Sequence, residues 1–315
     1  MTKPSLRIGL MSMAVTVLSW GGMFQVGKMM LASLDPYTLT SIRYGSAAAI
    51  LLVILWLKEG SAAFTALPRD PRRWALLFYG SMGFAGFSLF NFEGLQLTTP
   101  QQAAVIAAMQ PLMIALTQWL LRGVKPARAT LLCVALAFSG CVVIVSKGDV
   151  AALALNGSVV GDLLVLVAAF CWVIYTLGGA RFPDWSPLRY TALSCALGSL
   201  SILLISAFAI AIGHAHWPTG AQLASQAWAM LFMVLMPSVV AVLLWNVGVK
   251  HLGALNATLI GNFIPVVVFL IGIGLGQTIA PAEFFGAGMV LAALVANNLL
   301  ARRALRLSLN KLQGG

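Results

Sequence analysis

Charged residues are scarce in this chain. Asp, Glu, Lys and Arg together make up 9% of its 315 residues, while 60% are hydrophobic. Soluble domains carry roughly 25% charged residues, so the composition excludes an ordinary soluble domain. A mean hydropathy of +0.95 indicates a polytopic membrane protein.

Residues that build catalytic or metal centres are also few, with eight acidic residues, three histidines and four cysteines. A membrane transferase would need a dense cluster of such groups at one interface, and the sequence has none. We therefore expect no enzyme, no cofactor and no metal site. His214 and His216 are predicted to be a solvated pair in an outer loop. The cysteines lie in apolar segments without metal-ligand spacing and are expected to be packing residues: Cys133, Cys141, Cys171 and Cys195.

Long apolar runs dominate what is present. A helix needs roughly 20 apolar residues to cross the hydrocarbon core. Ten stretches meet this requirement: about 8–31, 36–57, 73–95, 100–121, 127–146, 158–180, 187–213, 224–249, 254–277 and 281–301. The connections between them are too short for a domain outside the membrane.

The formal net charge of +11 reflects membrane topology and does not indicate nucleic-acid binding. The basic residues fall in short loops between apolar runs, and they do not form one soluble face. With the N-terminus inside, all but Lys28, Arg43 and Lys147 of the 19 Lys and Arg residues lie on the inner side. The positive-inside rule therefore predicts cytoplasmic termini in a cell (inner) membrane.

The chain contains an internal repeat. The first span is matched by the sixth, so that Trp20 corresponds to Trp172, and the offset stays between 151 and 155 along the chain. We predict two domains, 1–150 and 151–315, with five spans each. Because five is odd, the second copy must enter the membrane from the opposite face. From the end of the third and eighth spans through the fourth and ninth the offset is 154, and the matched residues are Gly94/Gly248, Ala103/Ala257, Ile106/Ile260, Pro111/Pro265 and Leu116/Leu270.

Prolines lie at the centre of both matched spans. Pro111 and Pro265 lack a backbone N–H, so each helix should bend and free a carbonyl near Ala107 and Gly261. Such breaks are tolerated in a bilayer only where protein or a water-filled cavity covers them. Two broken helices in corresponding halves therefore predict a mid-membrane binding site, with Pro237 as a further hinge.

Aromatic and amide side chains cluster near the expected midplane. Aromatic rings can stack on an apolar side chain while amides hold a polar end, which suits a neutral or zwitterionic organic molecule. Tryptophans in spans can also face lipid or pack in the core, and amides can join helices. The candidate substrate-binding residues are Trp20, Tyr79, Gln110, Trp172, Tyr175, Ser238, Trp245 and Asn262.

Four ionisable residues lie within the spans, all in their outer halves: Lys28, Arg43, Glu93 and Asp162. Charges are costly there, so these residues are candidates for a gate or for coupling. They could form two opposite-charge pairs that close an outer gate or bind a substrate carboxylate and ammonium. Lys28 and Asp162 could instead reach the interface as end residues. Proton coupling through Glu93 or Asp162 is a further alternative.

The stretch GLQLTTPQQAAVIAAMQP, its twin GVKHLGALNATLIGNFIP and the Pro-Ala start of the fifth and tenth spans together resemble the EamA-type transporters of the drug/metabolite transporter superfamily. The resemblance covers the whole chain and is nearest to bacterial exporters of amino acids, including aromatic ones. The chain departs from the pattern at Glu93, where a small residue is usual. It also carries Lys125 and Ala280 where a Glu often precedes the proline.

The resemblance implies an all-α membrane protein with ten transmembrane helices, arranged as two inverted five-helix repeats around a central cavity. Our hypothesis is a secondary transporter that exports small amphipathic metabolites, amino acids above all, by alternating access. Its partners would be a small-molecule substrate and the lipid bilayer, without nucleic acid, and a monomer is compatible with the sequence. The alternatives are a broader drug or nucleotide-sugar/metabolite carrier and a non-transporting receptor or scaffold.

Overall fold

The computed structural model describes residues 5–65, 67–123, 125, 127–146, 149 and 158–313. The side chain of Cys141, the residue Lys147 and the predicted domain boundary at 150/151 lie outside the described part. Regular structure in the described residues is entirely helical. The main helices are α1 Leu6–Met30, α2 Pro36–Glu59, α3 Arg73–Leu97, α4 Pro100–Ala107, α5 Gln110–Arg122, α6 Arg128–Ser146, α7 Ser158–Gly178, α8 Pro187–Ala211, α9 Ala227–Leu252, α10 Ala254–Gly261, α11 Ile264–Gly274 and α12 Pro281–Gln313.

Helices lie at every stretch that the sequence predicts to span the membrane. Within the described residues, α1, α2, α3, α7, α8 and α9 are long and apolar enough to cross a membrane. The last helix differs from the prediction at its end, because α12 continues to Gln313 although the apolar run ends near 301. Residues 302–313 are rich in Leu and Arg, which favour helix, and contain no Gly or Pro to stop it.

Two of the predicted spans are each divided into two helices. The first break separates α4, which ends at Ala107, from α5, which has Pro111 in its first turn. The second separates α10, which ends at Gly261, from α11, which has Pro265 in the same position. Proline suits the first turn because its missing N–H would have no intrahelical partner there. The breaks therefore fall where the sequence predicts them.

Two π-helical turns lie at matching positions of the repeat, at Ser81–Gly86 in α3 and Val234–Val240 in α9. In α9 the cause is Pro237, whose missing N–H leaves the carbonyl of Met233 free. The Ser238 hydroxyl donates to that carbonyl at 2.7 Å. The turn in α3 contains no proline, and the sequence analysis missed it. Such turns occur preferentially at functional sites.

Helices of one half pack mainly against helices of the other: α1 against α9, α2 against α8, α3 against α7 and α6 against α12. The α6–α12 pair shows the relative direction. A Cβ atom at Gly140 would lie 2.9 Å from Val290, while one at Gly286 would lie 2.6 Å from Ile144. As α6 advances from 140 to 144, its contacts move back along α12 from 290 to 286. The two helices, which are repeat equivalents, therefore run antiparallel.

The bundle has two ends, which we name after a residue at each. At the Arg72 end, the backbone N–H of Ser5 donates to His251 Nδ1 at 3.1 Å. At the Gln277 end, the side-chain amide of Gln222 donates to the carbonyl of Ser33 at 3.0 Å. Both contacts join the N-terminal half of the chain to the C-terminal half.

Candidate functional site

A small cavity lies between the two helix breaks, with a free volume of about 30 Å³. Small-molecule sites measure roughly 300–1,000 Å³. The cavity is therefore too small for a metabolite in this conformation. Its walls are Trp20, Met23, Phe24, Phe87, Ala104, Ala107, Ala108, Gln110, Trp172, Trp245, Thr258, Gly261, Asn262 and Ile264.

Three tryptophan rings fill the space between the halves. The rings of Trp20 and Trp172 meet edge-on with centroids 5.1 Å apart, and Trp245 lies 5.2 Å from Trp20 and 6.1 Å from Trp172. Edge-to-face and tilted pairs at such distances are favourable. Trp20 and Trp172, which match each other in the internal repeat of the sequence, are therefore in direct contact.

The indole nitrogens of these tryptophans have different partners. Trp20 Nε1 donates to the carbonyl of Pro237 at 3.0 Å, and Trp245 Nε1 donates to the Thr176 hydroxyl at 3.3 Å. Trp172 Nε1 is buried and has no hydrogen-bond partner among the described residues. Buried donors are normally paired, and an unpaired one costs about 1–3 kcal/mol. Trp172 thus presents an unused donor at the cavity wall.

The amide of Asn262 joins the two helix breaks. In the orientation that satisfies both of its ends, its nitrogen donates to the carbonyl of Ala108 at 2.9 Å and to that of Thr258 at 3.2 Å. Ala108 and Asn262 are 154 positions apart and so match each other in the sequence repeat. Gln110 lines the same cavity from the start of α5. Hydrogen-bonding groups therefore face the tryptophans across the cavity.

The remaining candidate substrate-binding residues lie outside the cavity wall in this conformation. Tyr175 is buried behind Trp172, with ring centroids 5.0 Å apart. Tyr79 packs on the backbone of Gly178 toward the Arg72 end. Ser238 caps the π-helical turn of α9 and accepts a hydrogen bond from a buried guanidinium. The structure thus brings Trp20, Gln110, Trp172, Trp245 and Asn262 together and leaves these three apart.

Lys28 lies at the C-terminal end of α3. Its ammonium donates to the carbonyls of Leu95, Gln96 and Thr98 at 2.7, 3.0 and 2.8 Å. The last carbonyls of a helix lack intrahelical partners and carry partial negative charge, so a cation is favourable there. In this conformation Lys28 caps α3 and forms no pair with a carboxylate.

The two acidic candidates are also separated from the basic ones. Glu93 faces His214 at 3.9 Å. Asp162 Oδ1 lies 2.6 Å from the hydroxyl of Thr98, which also lies 2.8 Å from the side-chain oxygen of Gln102. The two opposite-charge pairs that the sequence suggests are therefore not formed, because each acidic group has a different nearby partner.

Arg43 is buried within the bundle, with 1% of its surface exposed. Its Nε donates to the Ser238 hydroxyl and its Nη2 to the Tyr44 hydroxyl at 2.8 Å. The guanidinium lies over the rings of Tyr44 and Phe92, at 4.4 and 5.3 Å from their centroids. Its Nη1 has no hydrogen-bond partner among the described residues.

Three glutamines meet at the Gln277 end of the bundle, and we call them the glutamine cluster: Gln25, Gln101 and Gln277. Gln101 Nε2 donates to Gln277 Oε1 at 2.7 Å, and Gln277 Nε2 donates to Gln25 Oε1 at 3.2 Å. A polar pocket of about 710 Å³ lies beyond them, with Lys28 and Glu283 in its wall. The sequence analysis missed this cluster, because its three residues are far apart in the chain. None of them adjoins a hinge proline, as Gln110 does.

A salt-bridged contact joins the halves at the Arg72 end. Arg72 donates through Nη1 and Nη2 to both oxygens of Asp184, at 2.6 and 2.9 Å, and through Nη2 to Asp70 at 2.9 Å. Bidentate pairing of this kind is geometrically specific. The hydrogen-bonded guanidinium lowers the pKa of the Asp184 carboxyl to about 2. We call this contact the Arg72–Asp184 clasp.

The fold and site define a multi-pass helical membrane protein with a small cavity between its two halves. The family of EamA-like transporters matches residues 7–146 and 159–299, one match in each half. The chain belongs to the EamA-like transporter family and is a transporter of this superfamily.

Similar proteins carry transporter names. A Bacillus subtilis protein named "Uncharacterized transporter YrdR" is 31% identical over 307 residues, which cover 96% of this chain and 95% of that protein. The "Aromatic amino acid exporter YddG" of Ancylobacter novellus is 25% identical over 221 residues, covering 70% and 72%. A solved crystal structure superposes with a TM-score of 0.67 at 21% identity over 95% of this chain and 99% of its own, which shows a shared fold.

Proposed function

We propose that this transporter exports small amphipathic metabolites, above all amino acids with apolar or aromatic side chains. The observation that carries the proposal is the cavity between the helix breaks, where tryptophan rings face the amides of Gln110 and Asn262. An aromatic side chain can stack among the rings while the polar end takes the free donor of Trp172. The name of the Ancylobacter novellus relative supports the same substrate class.

We further propose ten membrane crossings in two inverted repeats, with both termini in the cytoplasm of a cell whose inner membrane holds the protein. The antiparallel contact between the equivalent helices α6 and α12 supports the inversion. The excess of Lys and Arg at the Arg72 end supports its assignment as the cytoplasmic face.

Alternating access would follow from the two closures. Separation of the glutamine cluster would open the cavity at the Gln277 end, and separation of the Arg72–Asp184 clasp would open it at the other. The breaks at Pro111 and Pro265 and the π-helical turn at Pro237 are the places where the backbone can bend at low cost. The cavity of about 30 Å³ would then belong to a conformation in which both ends are closed.

The test is counterflow in proteoliposomes. Vesicles preloaded with an unlabelled amino acid should accumulate the same labelled amino acid, with aromatic residues preferred, and the panel should be run with and without a pH gradient. Empty vesicles and vesicles with an unrelated membrane protein serve as controls. Absence of exchange across the whole panel would reject the proposed substrate class and favour a receptor or scaffold.

A further inference from the structure

A buried charge without a countercharge lies beside the central cavity. Arg43 is in the eighth position of α2 and is 1% exposed. The chain has eight Asp and Glu residues, all of them in the described part, and none is within 4.0 Å of an Arg43 nitrogen. The partners of the guanidinium are two neutral hydroxyls and two aromatic faces.

This arrangement is energetically incomplete. Arginine keeps its charge in proteins, because its pKa exceeds about 12. Aromatic faces and hydroxyls offset part of the desolvation of a buried cation, but full compensation requires an anion. Cations inside membrane proteins normally pair with an opposite charge and mark binding sites or transport paths. The buried Nη1 of Arg43, which has no hydrogen-bond partner among the described residues, is the donor that an anion would accept from.

Further unpaired polar groups lie near Arg43 in the sequence of α2 and beside Phe92 in α3. Thr40 is one helical turn before Arg43 and therefore on the same face of α2, and its hydroxyl has no partner among the described residues. Asn91 adjoins Phe92, whose ring stacks on Arg43, and both ends of its side-chain amide are likewise buried and unpaired. A hydroxyl and an amide N–H are suitable donors for an anion.

The connection to the cavity runs through the π-helical turn of α9. Ser238 accepts from Arg43, and its neighbour Pro237 accepts from the indole of Trp20, which lines the cavity. A shift of this one turn would therefore release both contacts together. Arg43 lies directly behind the cavity wall, separated from it by a segment that lacks regular α-helical bonding.

We propose that Arg43 is the centre of a buried binding site for one monovalent anionic group, and that this group is the carboxylate of the transported substrate. The identity of the occupant rests on the proposed function, whereas the anion site itself does not. A small inorganic anion such as chloride has the same charge and is the alternative occupant of this site. A single guanidinium matches a single negative charge, which disfavours nucleotide sugars and other multiply charged substrates.

The first experiment uses the wild-type protein in detergent and needs no variant. Thermal stabilisation is titrated with tryptophan and with tryptamine, which lacks only the carboxylate, in buffers without chloride. We expect tryptophan to bind about tenfold tighter or more, since hydrogen bonds to charged groups are the stronger ones. Chloride is titrated separately against sulfate at equal ionic strength.

Variants then assign the effect to Arg43. Arg43→Gln should remove the preference for tryptophan over tryptamine, and Arg43→Lys, which keeps the charge, should retain part of it. Arg73→Gln is the control, because Arg73 lies at the Arg72 end against Trp74 and should leave the preference unchanged. If Arg43→Gln does not fold, the comparison of wild type with Arg43→Lys still decides.

Failure of the anion site and failure of the proposed function give different results. Stabilisation by chloride that is lost in Arg43→Gln supports the anion site even if no amino acid is transported. Transport of tryptamine and tryptophan alike, with no chloride effect, would overturn the anion site while leaving the transport proposal intact. Equal binding of both ligands by Arg43→Gln and wild type would also overturn it.

Discussion

At the residue scale, variants of the central tryptophans test substrate contact and packing separately. We expect Trp172→Phe to keep the ring packing but remove the free donor, which would raise KM for aromatic amino acids several-fold, given that one hydrogen bond contributes about 1 kcal/mol. Trp20→Phe should instead lower Tm, because it leaves the carbonyl of Pro237 without its partner at a cost of about 1–3 kcal/mol. Counterflow kinetics and thermal denaturation of both variants check this. An unchanged KM in Trp172→Phe would assign that ring to packing alone.

Asp162 provides a second prediction, which follows from counting protons. The Thr98 hydroxyl has one proton but contacts two acceptor oxygens, those of Asp162 and Gln102. Both contacts are satisfied when the carboxyl of Asp162 is protonated and donates to Thr98. Asp162→Asn can donate in the same way, so we expect a folded protein whose counterflow persists but whose transport no longer responds to a pH gradient.

Glu93→Gln is the matched control for Asp162→Asn, because Glu93 lies at the same end of the bundle but contacts His214 and Tyr37 rather than Thr98. It should leave the response to the pH gradient as in wild type. A gradient response that survives in Asp162→Asn would exclude this carboxyl as a coupling group.

Several residues that line the cavity were predictable from the sequence where the repeat or a proline marked them. Trp20 and Trp172 stand at equivalent positions, Gln110 directly precedes Pro111, and Asn262 lies one turn before Pro265, so each carried a signal that did not depend on contacts. The lack of a countercharge at Arg43 had no such signal in the sequence. It depends on which helix ends Glu93 and Asp162 occupy and which neighbours they find there, and spacing along the chain does not record this.

At the element scale, Gly272 in α11 makes room for the glutamine cluster. A Cβ atom at this position would lie 2.5 Å from Gln101 Nε2 and 2.8 Å from Gln277 Oε1. We expect Gly272→Ala to push these flexible side chains apart and to favour the state that is open at the Gln277 end. Gly274→Ala is the matched control, since a Cβ there would meet nothing within 4 Å.

The readout for these glycine variants is a single cysteine at the cavity wall, Ala104→Cys, in a background without the native cysteines. A membrane-impermeant thiol reagent should label it several-fold faster in Gly272→Ala than in Gly274→Ala. Equal labelling rates would mean that the glutamine cluster does not control access. The fraction of each variant that folds is measured separately by size-exclusion chromatography.

Helix bounds and breaks were predictable because both depend on local physics: the length of apolar sequence that crosses a bilayer and the missing N–H of proline. The π-helical turn of α9 shares that signal through Pro237. Its counterpart in α3 depends on tertiary contacts, since Gly83 and Gly86 bring the backbone against Tyr175 and Cys171. Glycines at this spacing are also common in ordinary packed helices, so the sequence did not distinguish a π-helical turn from a regular α-helix.

At the scale of the whole molecule, the sequence predicted the inversion from the odd number of spans in each copy of the repeat. The antiparallel contact of α6 with α12 supports it. The sequence did not predict the contacts that join the halves at the two ends, namely the glutamine cluster and the Arg72–Asp184 clasp. These contacts join residues 176 or more positions apart at one end and 112 at the other.

The Arg72–Asp184 clasp has a pH dependence whose direction is fixed by the lowered pKa of Asp184, about 2 against an ordinary 3.8. A carboxyl with a lowered pKa contributes its stabilisation in full above the ordinary value and loses it as pH falls toward the lowered one. The clasp should therefore be constant from pH 8 to 5 and weaken between about pH 4 and 2. The side chain of Asp184 is 58% exposed, so the contribution is modest, as for other solvent-exposed ion pairs.

Spin labels at Thr65→Cys and Pro183→Cys, on the two loops that the clasp joins, measure this directly. We expect a narrow distance distribution in wild type at pH 8 and 5 that broadens below about pH 4. Asp184→Asn should be broad at every pH, because it removes the anion that holds the two loops together. Asp70→Asn should stay narrow at neutral pH, because Asp70 lies in the same loop as Arg72 and the contact between the halves remains. A broad distribution in wild type at pH 7, or equal broadening in both variants, would show that the clasp does not close the Arg72 end.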